Sequence, residues 1–216
     1  MSTVQQTADP SDLGFDPARL ARIDTHFKKF VDDGRLPGWS LAVARDGEIA
    51  HVAHYGFADI ESKKPLGEDA IFRIASMTKP ICAVAAMILW EEGLFELKDF
   101  VYRFIPSFRD QKVFRSGSTT NPRLDHINEP MEMWHLFSHT AGLTYGGGGT
   151  EPDKQFRAAK ILDRGTDLAT MGAQLGPIPL AYEPGTRWLY SCSVDVLCRV
   201  VEVASGMKFD VFLKHR

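Results

Sequence analysis

Ser76-Met77-Thr78-Lys79 sets a hydroxyl and an amine three residues apart, a spacing that puts both on one face of a helical turn. If the serine opens a helix, the free amides and the dipole there favour negative charge forming beside it. Such a pair suits acyl transfer, in which the serine attacks a carbonyl and the second group handles its proton. An ordinary lysine is protonated near neutral pH and cannot take that proton. Lys79 must therefore lie where its neutral form is favoured, or work through a partner. A tyrosine hydroxyl is a suitable partner, because it relays protons and its pKa falls beside positive charge. Tyr190 is a candidate, although nothing in the spacing selects it. Ser-x-x-Lys also arises by chance, as a capping serine beside a surface lysine.

The elements around the motif decide between these readings. Ser76 to Gly93 reads as a helix with Ile81, Val84, Ala85, Ile88 and Leu89 inward and Gly93 as its stop. Its alanines imply close packing, so it is expected to be a central element. Upstream, Asp16-Pro17 starts an amphipathic helix whose apolar residues Leu20, Ile23, Phe27, Phe30 and Val31 recur at three and four, ending near Gly34. Trp39–Ala44 and Ile49–Phe57, joined through Asp46-Gly47, read as a β-hairpin. Two strands alone are marginal, and no convincing strand is read after them. Pro106, Pro122 and Pro130 are expected to break the next stretch into short pieces. A helix over about Met131–Ser138, a mobile loop at Gly146–Gly149, weak helix over Lys154–Leu175 and a last helix over Ser193–Ala204 follow, the last capped by Ser193 and closed by Gly206.

Composition bounds the function. Of 216 residues, 44% are hydrophobic and 25% charged, which fits a globular protein rather than a disordered or fibrous one. A net charge of -3 supplies no general attraction to nucleic acid. Met1–Phe15 lacks the basic start and apolar stretch of a signal peptide, and the run Ile81–Trp90 is too short to span a bilayer. The default expectation is a soluble cytoplasmic protein with no nucleic-acid or membrane partner. Cys82, Cys192 and Cys198 have no metal-ligand spacing, and at least two of them read as small buried hydrophobes, with Cys192 set apart by where it falls. His135 and His139 lack both the glutamate of a zinc protease and an evident third ligand, and the four glycines lack the ending of a phosphate-binding loop. Neither a metal nor a cofactor is expected.

Four segments together resemble the serine β-lactamase and penicillin-binding-protein superfamily, in particular the class C β-lactamase-like branch that includes the family VIII carboxylesterases. Phe72-Arg73-Ile74-Ala75-Ser76-Met77-Thr78-Lys79-Pro80 is similar to the nucleophile segment. Leu94–Asp99 with Tyr102–Phe108 is similar to the stretch that follows it. Trp134–Leu143, containing His139-Thr140-Ala141-Gly142-Leu143, resembles the block Leu-Leu-x-His-Thr-Ser-Gly-Leu. Pro184–Ser193 resembles the segment of the catalytic tyrosine, where the family signature is Tyr-x-Asn. The resemblance implies that Ser76 is acylated, that Lys79 assists as base and that Tyr190 is the catalytic tyrosine. Cys192 stands where the asparagine would hydrogen-bond the lysine and a β-lactam amide, and a thiol cannot replace a carboxamide. Carboxylic esters are therefore the expected substrates, with β-lactam hydrolysis or acyl transfer as alternatives. Trp188, Tyr145 and Trp39 are candidate walls of an acyl pocket, with ordinary packing as the other reading, and His139 is a supporting residue.

The implied fold is α/β plus all-α, of the β-lactamase/transpeptidase (DD-peptidase-like) type. Residues 1–15 are expected to be a flexible N-terminus, 16–60 the N-terminal part of an α/β domain and 61–216 a catalytic helical region. The resemblance runs from about Asp16 to Lys208 and covers the N-terminal half of the family's usual length. It implies further strands and a helix, including a Lys/His-x-Gly or Trp-x-Gly strand that donates the second oxyanion-hole N–H. These are expected from a C-terminal segment or a complementary chain. A truncated, catalytically inactive interaction protein is the remaining alternative.

Overall fold

The computed structural model describes residues 4–163 and 165–216. The chain divides into two compact units, Met1–Arg73 and Ile74–Arg216.

In the first unit, Asp16 caps α1 (Pro17–Asp32) by accepting from the amides of Ala18 and Arg19. Pro17 at the first position lacks the amide that would otherwise need a partner. β1 (Gly38–Arg45) and β2 (Glu48–Asp59) pair antiparallel, with Arg45 opposite Glu48. Asp46 at φ 54° and Gly47 at φ 82° make the left-handed turn expected between them. A two-residue strand, β3 (Lys64–Pro65), adds to β2 and makes a three-stranded sheet where the sequence reading stopped at two. The face between helix and sheet is aromatic: Phe27 lies 5.9 Å from Trp39, and Trp39 lies 6.4 Å from Tyr55. His51 Nε2 meets Asp24 Oδ1 at 2.9 Å, and Tyr55 donates to Asp32 at 2.9 Å, which pins β2 to α1.

The second unit is built around α6 (Ser193–Ser205), whose Val196, Leu197, Val200 and Val201 are inaccessible to solvent. α2 (Thr78–Glu91), α3 (Met133–Phe137), α5 (Leu168–Leu175) and α7 (Phe209–His215) pack on it, and α4 (Glu151–Ala158) lies in the same unit. Ala85 and Ala86 on the buried face of α2 let the α2 and α6 backbones approach closely. The last helix is not capped by Ser193. Cys192 holds the N-cap position, and Ser193 instead donates its amide to Ser191 Oγ at 3.3 Å. Gly206, at φ 70°, ends the helix in the left-handed conformation that glycine adopts without strain. α7 was not anticipated beyond that stop, yet its Phe212 is completely buried.

The proline-containing stretch also folds differently from expectation. β4 (Lys112–Ser118) and β5 (Asn121–His126) form a second hairpin, with Pro122 opposite Gly117. Proline is tolerated there because β5 is an edge strand. On its other side β4 is held to Leu180, through Phe114 N to Leu180 O at 2.9 Å and Leu180 N to Lys112 O at 2.7 Å. The four-glycine run is tied rather than free: Arg157 donates to the carbonyls of Gly146 and Gly148. Among the described residues no helix is long and apolar enough to cross a membrane.

Candidate active site

Ser76 lies in a 3₁₀ turn, Ala75–Met77, immediately before α2, so the nucleophile candidate precedes the helix rather than belonging to it. Ala75 adopts φ 47°, a region that costs an alanine about 1–2 kcal/mol. This left-handed step turns the chain sharply into the helix that carries Lys79. Lys79 donates to Ser76 Oγ at 3.3 Å, and Tyr190 donates to the same oxygen at 2.7 Å across a separation of 114 residues.

The tyrosine is placed by two neighbouring segments. Leu189 N donates to the carbonyl of His139 at 2.9 Å, Ser191 N donates to His139 Nδ1 at 3.3 Å, and Cys192 N donates to the carbonyl of Thr144 at 3.3 Å. Ser138–Thr144 thus fixes the backbone on both sides of Tyr190. Gly142 lets the same segment pass close to Tyr182, since a Cβ there would sit 2.2 Å from the Tyr182 carbonyl oxygen and its φ is 79°. The His139 ring lies 4.8 Å from Tyr190, and its Nδ1 is an acceptor, so the ring's proton is on Nε2. Burial, helped by the charge of Lys79, holds the His139 pKa below its ordinary value. His135 is structural: its Nδ1 accepts from Glu132 N at 2.9 Å at the start of α3, and burial lowers its pKa despite the nearby Glu132. Among the described residues no group of three or more His, Cys, Asp or Glu could hold a metal.

Desolvation favours neutral Lys79, but the hydrogen bond with Tyr190 and the fields of Tyr145, Asp195 and Tyr190 outweigh it, so the Lys79 pKa is raised. Its ammonium lies over two aromatic faces, 4.9 Å from the Tyr190 centroid and 5.3 Å from that of Tyr145. The Tyr190 phenol moves the other way, lowered by its hydrogen bonds with Ser76 and Lys79 against a small desolvation cost. A raised Lys79 pKa favours its ammonium form. The phenol with the lowered pKa is the one touching the serine.

Tyr145 stacks with Tyr190 at 5.9 Å, and Trp188 lies 6.4 Å from Tyr190 and 67% exposed, so both border the site. A cavity of about 290 Å³ beside the serine is lined by Ala75, Ser76, Lys79, Tyr145, Val194 and Asp195, among others. Two further sequence candidates have buried surroundings. Trp39 packs inside the first unit between Phe27 and Tyr55. Cys192 has no accessible surface, and burial pushes its thiol pKa far up, so it supports the Tyr190 segment from behind rather than touching a substrate. Cys82 and Cys198 face each other between α2 and α6, together with Val194. Asp195 was overlooked in the sequence. Its only signal there is an acidic residue inside the apolar run Val194–Cys198.

The chain is similar to known proteins over most of its length. The beta-lactamase family model matches residues 23–216. The esterase EstB of Burkholderia gladioli is 38% identical over 203 residues, covering 92% of this chain and 49% of its own length. The monacolin J acid methylbutanoyltransferase of Aspergillus terreus is 27% identical over 208 residues, covering 93% of this chain and 49% of its own. The solved structure of EstCE1, described as a hydrolase with promiscuous acyltransferase activity, superposes with a TM-score of 0.78 at 28% identity, over 95% of this chain and 50% of that one. The chain spans about half the length of the relatives it matches.

Proposed function

The chain belongs to the beta-lactamase family, in which esterases and acyltransferases occur among its relatives; on that premise we propose that it carries the acylation machinery of a serine carboxylesterase. The observation that carries this reading is the convergence of Tyr190 and Lys79 on Ser76 Oγ, at 2.7 and 3.3 Å. The ionised Tyr190 phenol takes the serine proton while Oγ forms its bond to the ester carbonyl carbon. Lys79 remains an ammonium and stabilises the phenolate that precedes this step. Collapse of the tetrahedral intermediate breaks the ester C–O bond, and the Tyr190 proton passes to the departing alkoxide, which leaves as an alcohol. Water then attacks the acyl-serine, giving a proton to Tyr190. Its collapse returns that proton to Ser76 and releases the acid.

The oxyanion stabiliser within this chain is the backbone amide at Ser76, at the entrance to α2. In the family resemblance a second amide comes from a strand with no counterpart among these residues. The activity proposed is accordingly that of the full-length protein. Esters are favoured over β-lactams because the position of the β-lactamase asparagine holds Cys192, buried and without a carboxamide. Acyl transfer to an alcohol is the second reading, supported by the exposed Trp188 and Tyr190 at the mouth of the site and by the acyltransferase among the relatives.

The test is turnover of p-nitrophenyl butyrate and of a chromogenic cephalosporin by the full-length protein, with and without an added short-chain alcohol. Ester turnover, lost in Ser76→Ala, with negligible cephalosporin turnover is the expected result. Ester formation with the added alcohol distinguishes transfer from hydrolysis. Fast cephalosporin turnover contradicts the argument from Cys192.

A further inference from the structure

α6 carries one acidic residue in its first turn, Asp195, flanked by Val194 and Val196. Its Oδ2 is buried and has no hydrogen-bond partner. A carboxylate oxygen stripped of water without a donor is destabilising. Asp195 nevertheless lines the same cavity as Ser76, Thr78, Lys79 and Tyr145. Its field reaches Lys79 and Cys82 from α2, Tyr145 from the loop before α4, Tyr190 and Cys192 from the segment entering α6, and Cys198 on its own helix. Among these groups Lys79 is the cation. Where the resembling β-lactamases place a carboxamide by the lysine, this chain has the buried Cys192, and the carboxylate lies one turn further along α6.

We propose that Asp195 is a positioning residue for proton transfer, its carboxylate serving across the cavity as the fixed counter-charge of the Lys79 ammonium. The inference rests on the reading of Ser76, Lys79 and Tyr190 given above. Desolvation acts against a charged Lys79, and Asp195 is one of the groups that offset it. Burial raises the Asp195 carboxyl pKa, and Lys79 and the residue's own amide oppose that rise. The ammonium so retained steadies the Tyr190 phenolate, while the carboxylate itself raises the Tyr190 pKa. The device replaces a neutral amide beside the lysine with a full charge, placed at the start of α6 and behind the reacting atoms.

The sign of the effect is definite. Removing the negative charge lowers the pKa of Lys79 and that of Tyr190, since Asp195 raises both. Acylation of Ser76 is limited on the acid side by ionisation of Tyr190 and on the alkaline side by loss of the Lys79 proton. In Asp195→Asn the whole pH profile of acylation is therefore expected to move to lower pH, by about one unit at the alkaline limb. Asp195→Glu restores the alkaline limb in part. A purely structural Asp195 would lower the plateau and leave both limbs where they are.

The experiment measures the pH dependence of Ser76 phosphonylation by a fluorophosphonate in the full-length protein and both variants. Alongside it, a ¹³C NMR titration of lysine-labelled protein follows Lys79, assigned through Lys79→Arg. A fall of about one pH unit in the Lys79 titration of Asp195→Asn is expected. An unchanged titration with unmoved limbs overturns the role of Asp195. Absence of Ser76 labelling in the unaltered protein overturns the esterase reading instead, and the Lys79 titration still decides whether Asp195 holds the ammonium.

Discussion

The two units bury themselves in different ways. Among the described residues of Met1–Arg73 the buried hydrophobic residues are Leu20, Trp39, Ala50 and Leu66, of which Ala50 alone is wholly inaccessible, and much of the helix–sheet contact is made by aromatic rings. In Ile74–Arg216 a continuous core runs from Ala85 to Phe212, centred on the closed faces of α2 and α6. Every group proposed for chemistry lies in the second unit, on segments anchored to that core: Ser76 and Lys79 at the entrance to α2, Tyr190 just before α6, His139 just after α3. A rigid interior is what a site needs when two polar groups must meet at one oxygen. None of them belongs to the first unit.

This contrast can be broken in several ways, from large effects to small. Tyr190→Phe removes the group touching Ser76 and is expected to slow acylation by about 10²–10⁴-fold, read by stopped-flow with an activated ester. A change below tenfold would mean that another group takes the proton. Leu197→Ala opens a cavity in the closed core and is expected to cost about 3–5 kcal/mol, whereas Leu20→Ala, at a partly open helix face, costs about 2 kcal/mol. Hydrogen exchange should show the first loss across α2 and α6 and the second across α1 and β2. Equal costs would erase the distinction between the units.

Acid should act on the second unit through its histidines. His135 and His139 are held below the ordinary value of 6.5, chiefly by burial. The unfolded chain then binds more protons than the folded one just below pH 6.5, so stability is full above that value and falls as pH drops through the folded pKa values. The slope is at most about 1.4 kcal/mol per pH unit for each histidine. Urea melts at pH 7 and pH 5, followed by exchange in α3, measure it, and a midpoint unchanged in that unit contradicts the assignment. The smallest effect is at Trp188: because it is 67% exposed, Trp188→Ala should alter ester selectivity by only a few-fold and leave stability within about 0.5 kcal/mol.

Local signals in the sequence were legible wherever a few adjacent residues dictate the backbone. Asp16-Pro17 announces α1, Asp46-Gly47 announces the first hairpin, and Gly206 announces the end of α6. The β4–β5 hairpin was not legible. A register shift between Phe114 and Ser116 breaks its alternation, and Pro122 is acceptable only because β5 is at an edge, a property of the assembled sheet. The left-handed turn at Ala75 was equally hidden, since alanine gives no sign of a positive φ. Within the site, Ser76 and Lys79 were visible as a four-residue pattern, but the choice of Tyr190 came from resemblance alone. Its contact with Ser76 spans 114 residues and is made by the Ser138–Thr144 segment, which no local rule connects to it. Asp195 escaped notice because its meaning lies in the cavity it faces.

The central claim is that Ser76 is the acylated nucleophile. Its most direct measurement is peptide-mapped mass spectrometry of the full-length protein after treatment with a fluorophosphonate and, separately, with an activated butyrate ester at short times. The account predicts a single stoichiometric adduct on the Ser76 peptide with both reagents, absent in Ser76→Ala and formed much more slowly in Tyr190→Phe. An adduct that persists in Ser76→Ala, or that maps to another residue, would contradict it.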